Sequence, residues 1–111
     1  MSIFKTQTGA GNTVILDSSQ YSTYSATNKR GTSKAKVSSI YITNNSSHDA
    51  TVSISVTNIA DANIRYNIIN AIIIPGNVSL LLDNPFTFDI VTHVLKLTNS
   101  GNNADLTLII D

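Results

Sequence analysis

Between Thr51 and Thr57 the chain alternates strictly, with Val52, Ile54 and Val56 on one parity and Thr51, Ser53, Ser55 and Thr57 on the other. Successive side chains of a strand point to opposite faces, so this segment predicts a strand with one face in a core and one in water. Residues 37–43, Val-Ser-Ser-Ile-Tyr-Ile-Thr, predict a strand before it, and the intervening Asn44-Asn45-Ser46-Ser47-His48-Asp49 has the turn-forming composition of a hairpin loop. The C-terminal run 105–110 alternates as well. Ser100-Gly101-Asn102-Asn103 joins it to residues 94–98, which predicts a second hairpin.

Between these two units, residues 64–69 and 71–74 flank Asn70, and Pro75-Gly76-Asn77 precedes residues 78–82, giving three further short strands. Asp83-Asn84-Pro85 is a turn, and Phe86-Thr87-Phe88 is a short strand or bridge. Near the start, residues 4–6 and 13–16 could pair at an edge, and residues 18–33 form an extended polar loop. No helical periodicity persists and no repeat period appears. The pattern predicts an all-β fold, an antiparallel sandwich of the jelly-roll or immunoglobulin-like kind with about 7–9 short strands. Residues 1–33 are expected as an arm or edge segment and 34–111 as the sandwich body of one domain.

Some neighbours break the alternation. In Ile68-Ile69-Asn70-Ala71-Ile72-Ile73-Ile74 and in Leu108-Ile109-Ile110, aliphatics of both parities stand side by side, so apolar side chains would leave both faces of their strands. A small sandwich covers one face of each sheet. Ile69, Ile73 and Ile109 are therefore candidate interface residues, the alternatives being cover by the N-terminal segment or scattered surface aliphatics.

Composition sharpens this picture. Ser, Thr and Asn supply 40 of 111 residues, with 15 Ile, seven Asp and no Glu, a mixture that disfavours helices and suits pleated sheets. Seven cationic residues balance the seven acidic ones, so nothing draws the chain generally to nucleic acid or anionic lipid. With no Cys there is no disulfide framework or thiolate metal site. The start lacks the apolar stretch of a signal peptide, and no run approaches a membrane span.

Candidate chemistry is sparse. Ser, His and Asp are present, but no G-x-S-x-G marks an exposed nucleophile, and His48 and His93 fit surface or partly packed roles. Two His without Cys do not make a zinc site, and Asp61-Ala62-Asn63 lacks the Gly and Glu of a calcium loop. Gly9-Ala10-Gly11-Asn12 lacks the marks of a nucleotide loop and fits a turn. Catalytic residues, metals and cofactors are not expected. Lys29, Arg30, Lys34 and Lys36 gather four of the seven cations, a candidate basic docking patch, with Tyr21 and Tyr24 just upstream. Loop Asn, Asp and Tyr of the kind that lectin-like sandwiches use for glycans are also present, although no Trp is.

From Lys34 to Asp111 the order of segments resembles a small β-sandwich common among virion proteins of tailed bacteriophages. The likeness is carried by Lys36 to Asn44, a polar turn, Ala50 to Val56, Arg65-Tyr66 into Ile72-Ile73-Ile74-Pro75-Gly76-Asn77-Val78-Ser79-Leu80, Thr92 to Thr98, and Leu106-Thr107-Leu108-Ile109. The resemblance implies a non-enzymatic structural subunit present in several copies: a capsid decoration protein or a head, neck or tail accessory. Its partners would be itself and other virion proteins, and its place the virion after synthesis in the host cytoplasm. A carbohydrate-binding, receptor-contacting module is the alternative.

Overall fold

A computed structural model of the chain describes residues 3–17, 34–101 and 103–111, which form ten strands and no helix. In chain order the strands are β1 (Ile3–Thr8), β2 (Gly11–Leu16), β3 (Lys34–Val37), β4 (Ile40–Asn44), β5 (Ala50–Asn58), β6 (Arg65–Ile74), β7 (Ser79–Leu82), β8 (Phe86–Asp89), β9 (His93–Asn99) and β10 (Asp105–Ile110). The protein is all-β, as its alternation predicts, with a strand count a little above expectation.

Eight strands make two four-stranded antiparallel sheets, ordered β1-β10-β4-β7 and β2-β9-β5-β6, and β3 pairs with β8 in a small third sheet. We call the first sheet A and the second sheet B. With β3 and β8 set aside, the order is that of a jelly roll rather than an immunoglobulin-like sandwich. The inward parities of A and B bury Ile40, Ile42, Leu106, Leu108 and Ile110 against Val52, Ile54, Leu95 and Leu97. Ala35, Val37 and Phe88 of the small sheet extend the same core.

Neither expected hairpin forms. β4 bonds to β10 and β7, while β5 bonds to β6 and β9, so the 45–49 segment carries the chain from sheet A across to sheet B. In the same way the chain passes from the end of β9 in sheet B to the start of β10 in sheet A. Alternation fixes which side chains face inward but does not say whether the next strand lies beside or opposite. Facing placement buries Ile42 and Val52 in one core.

Buried carboxamides hold these crossings. Asn44 is fully buried, and its Nδ2 donates to the carbonyls of His48 (2.7 Å) and Ile74 (3.0 Å) while its Oδ1 accepts from Ser46 N (3.1 Å) and Ser46 Oγ (2.7 Å). Asn99 does the same at the return crossing, donating to Gly9 O (3.0 Å) and Gly101 O (3.2 Å) and accepting from Gly101 N (2.8 Å). Between β1 and β2, Gln7 donates to Gly9 O at 3.2 Å and accepts from Thr13 Oγ1. Where the ladder stops, these amides satisfy backbone groups that burial would otherwise orphan.

The crossings lie against one another at one end of the sandwich. A Cβ on Gly101 would press on the Asp49 carbonyl oxygen and come within 2.9 Å of Ala50 Cα, and one on Gly76 would lie 2.6 Å from the Ser47 carbonyl carbon.

Several further expectations are corrected. The predicted strand 37–43 is broken at Ser38-Ser39, where the chain passes from the small sheet to sheet A and both amides donate to Asp111 O (2.6 and 3.2 Å). Residues 4–6 and 13–16 do not pair with each other. β1 is the edge of sheet A against β10, and β2 the edge of sheet B against β9, so the expected edge segment supplies two strands of the sandwich itself. The expected loop 18–33 lies outside the described residues.

Residues 64–69 and 71–74 are one strand, β6, bent by two bulges opposite β5. The bulges explain the doubled Ile68-Ile69: with register shifts on either side of Ile54, both pack against the core.

Truncation of either crossing amide should be costly. Asn44→Ala and Asn99→Ala are each expected to lower stability by about 2 kcal/mol, roughly 8 °C in Tm. Asn45→Ala, on an exposed side chain, should stay within about 0.5 kcal/mol. Thermal denaturation showing equal, small effects at all three positions would show that the crossings are held otherwise. Gly101→Ala should cost about 1–3 kcal/mol through overpacking against Ala50.

Candidate functional site

Because the inner faces are committed to the core, candidate sites lie on the outer faces, and the two sheets present opposite chemistry. On sheet A the register aligns Phe4, Ile109, Tyr41 and Leu81, one from each of β1, β10, β4 and β7. They are exposed by 65%, 37%, 41% and 55%, forming an apolar row across the whole sheet. The adjoining outward row is Thr6, Thr107, Thr43 and Ser79, with Thr43 Oγ1 3.0 Å from Ser79 Oγ. Neither row contains a charged side chain.

Sheet B is mostly polar outward. One row crosses Asn12, Thr98 and Ser53 to the bulge at Asn70-Ala71; the next crosses Val14, Lys96, Ser55 and Asn67; a third crosses Val94, Thr57 and Arg65. The polar and charged side chains of these rows, without Val14, Val94 and Ala71, line a cleft of about 330 Å³, walled by Ala62 of the β5–β6 loop. Thr57 faces outward by parity yet is only 3% exposed, which places it on the floor, and its Oγ1 lies 2.9 Å from Ser55 Oγ.

The β6 bulge shapes one side of the cleft. Ser53 Oγ accepts the Ala71 N–H at 2.8 Å and donates to Asn70 Oδ1 at 3.4 Å, so the extra residue sets Asn70 on the rim. Ala71 has φ 54°, a left-handed conformation that its Cβ makes unfavourable. Across the sheet, Thr98 Oγ1 donates to Asn12 Oδ1 at 2.8 Å, which leaves the Asn12 amide hydrogens for another acceptor.

Arg65 and Lys96 bring positive charge to this cleft, and among the described residues no carboxylate lines it. Strand spacing of ~4.8 Å and a rise of ~3.4 Å per residue put their Cα atoms about 12 Å apart, within converging reach of two long side chains.

The predicted interface residues are not brought to one surface. Ile69 turns inward and packs against the core, Ile73 is 61% exposed at the edge of sheet B, and Ile109 stands in the apolar row of sheet A. Of the expected basic patch, Lys34 and Lys36 are exposed on β3, opposite Asp89 and Thr87, while Lys29 and Arg30 lie outside the described residues, as do Tyr21 and Tyr24.

His48 is exposed in its crossing, and His93 Nδ1 lies 2.7 Å from Thr92 Oγ1. Asp61 and Asn63 form a polar turn closed by the Asn63 N–H to Asp61 Oδ1 at 3.0 Å. Among the described residues no three potential metal-ligating side chains gather.

Phe4, Tyr41 and Leu81 were legible by the rule that singles out Ile109. Each is an out-of-phase apolar residue beside inward neighbours, as in Ile40-Tyr41-Ile42 and Leu80-Leu81-Leu82. The cleft had no comparable signal, since its residues are ordinary outward polar positions until register aligns them.

Compared with protein-family models, curated proteins and solved structures, the chain finds no match.

The bulge gives a direct test. Ala71→Gly removes the Cβ conflict at positive φ, offset in part by greater unfolded-state freedom, and should raise stability by about 0.5–1 kcal/mol. A lowered Tm would show that Ala71 is not held in the left-handed region.

Proposed function

We propose that this protein is a non-enzymatic structural subunit of a bacteriophage virion. It assembles in several copies as a capsid decoration protein or as a head, neck or tail accessory. The observation that carries the reading is the row Phe4, Ile109, Tyr41 and Leu81, an uncharged apolar stripe running edge to edge across sheet A. Exposed contiguous apolar surface is costly for a small domain unless another surface covers it.

A second copy of the chain suits this face. A two-fold axis through the middle of the row lays Phe4 toward the partner's Leu81 and Ile109 toward the partner's Tyr41, while the hydroxyl rows meet without like-charge repulsion. The virion setting is supported by the resemblance of residues 34–111 to phage sandwich proteins and, by analogy of fold, by the use of jelly rolls in viral capsids.

Ile109→Asp and Tyr41→Asp should weaken self-association by more than tenfold, because each forfeits about 2 kcal/mol of apolar burial and places a charge in the contact. Both positions are partly exposed in the single chain, so the Tm should fall far less than the affinity. Sedimentation velocity across a concentration series measures the first effect and thermal denaturation the second. A wild-type protein that stays monomeric throughout and is absent from purified particles by mass spectrometry would overturn the proposal.

A further inference from the structure

We propose that the cleft on the outer face of sheet B binds an acidic saccharide, with a uronic-acid carboxylate held between Arg65 and Lys96. The inference stands apart from the assembly reading, since it uses the opposite face of the sandwich. Three observations carry it.

The first is charge without a partner. Arg65 and Lys96 line one cleft together, and among the described residues no acidic side chain pairs with either. Two cations converging on a concave surface repel each other, and an anion between them converts that repulsion into attraction. The guanidinium of Arg65 can grip a carboxylate with two parallel hydrogen bonds, and Lys96 adds a point charge from β9, on the far side of β5.

The second is the kind of hydrogen bonding on offer. The Oδ1 atoms of Asn12 and Asn70 are already engaged by Thr98 and Ser53, so the amide groups facing the cleft are donors. Asn67 stands beside them in the Lys96 row. A donor-rich wall selects a ligand crowded with acceptor oxygens, as a uronic acid is with its hydroxyl, ring and carboxylate oxygens.

The third is shape. At about 330 Å³ the cleft is at the small end of ligand sites and takes a single sugar unit or a short stretch of chain. Thr57 and Ser55 form a fixed hydroxyl floor. Among the described residues no aromatic ring lines the cleft to offer a stacking platform to the bases of a single-stranded nucleic acid, and two cations are few for a phosphate backbone.

The test titrates the full chain with a panel of uronic-acid oligomers of galacturonate, glucuronate and mannuronate. Their uncharged hexose counterparts and a single-stranded oligonucleotide run alongside, followed by calorimetry and by amide chemical shifts. At least one uronate oligomer is expected to bind saturably, with shifts confined to the cleft strands. The matching neutral oligomer should bind about tenfold more weakly, and affinity should fall as salt screens the contact.

R65Q and K96Q, both at outward positions, should each weaken uronate binding about tenfold while leaving the Tm unchanged. Self-association through sheet A should also be unchanged in both, which separates this proposal from the previous one. Failure of every uronate to bind, equal binding of the neutral oligomers, unaltered binding in both variants, or preferential binding of the oligonucleotide would each overturn it.

Discussion

Three buried carboxamides, Gln7, Asn44 and Asn99, hold the chain where it leaves one sheet for the other, and the placing of both outer faces follows from them. Each crossing interrupts a hydrogen-bonded ladder inside the molecule, where an unpaired N–H or carbonyl costs more than a hydrogen bond usually returns. A side-chain amide is suited to that position because it donates and accepts at once and can bridge carbonyls from separate segments. Asn44 reaches both the His48 and Ile74 carbonyls, and Asn99 both Gly9 and Gly101, so neighbouring crossings are tied into one end of the sandwich.

Much of the architecture was legible in the order of residues, and the rest failed for an identifiable reason. The parity of Val52, Ile54, Leu106 and Leu108 correctly separates core from surface, because burial acts on each strand locally. Pairing is not local. Asn44 to Asp49 and Ser100 to Asn103 have a composition equally suited to a hairpin turn or to a crossing between sheets, and nothing in the polar tract says whether its amide will bond within the tract or to another segment. The fully buried Asn44 and Asn99 stand on the inward parity of their strands, alongside Ile42 and Leu97. A polar residue in phase with the core is the trace that a crossing leaves.

A comparable limit applies to β6. Doubled isoleucines imply two apolar faces only while the pleat is regular, and a bulge lets two successive residues serve the same face. Ile68 and Ile69 take that route, whereas Ile109 and Tyr41 sit in regular ladder and do point outward. The same irregularity brings Asn70 to the cleft rim. Position by position the cleft residues are unremarkable solvent-facing polar groups, and only the alignment of four strands separated widely in sequence joins Asn12 to Asn67.

Placing apolar and polar outer faces on opposite sheets has a mechanical consequence. Sheets A and B lie back to back across the core, so a contact made through the row of Phe4, Ile109, Tyr41 and Leu81 leaves the Arg65 and Lys96 cleft uncovered. In the proposed assembly, copies joined by sheet A would therefore present their clefts outward. A shallow site of this size would form few contacts with any one sugar, and in the proposed assembly its repetition would let one polymer engage more than one copy. The jelly roll permits this division because its core draws on one parity of every strand and leaves the other parity of each sheet free to take its own chemistry.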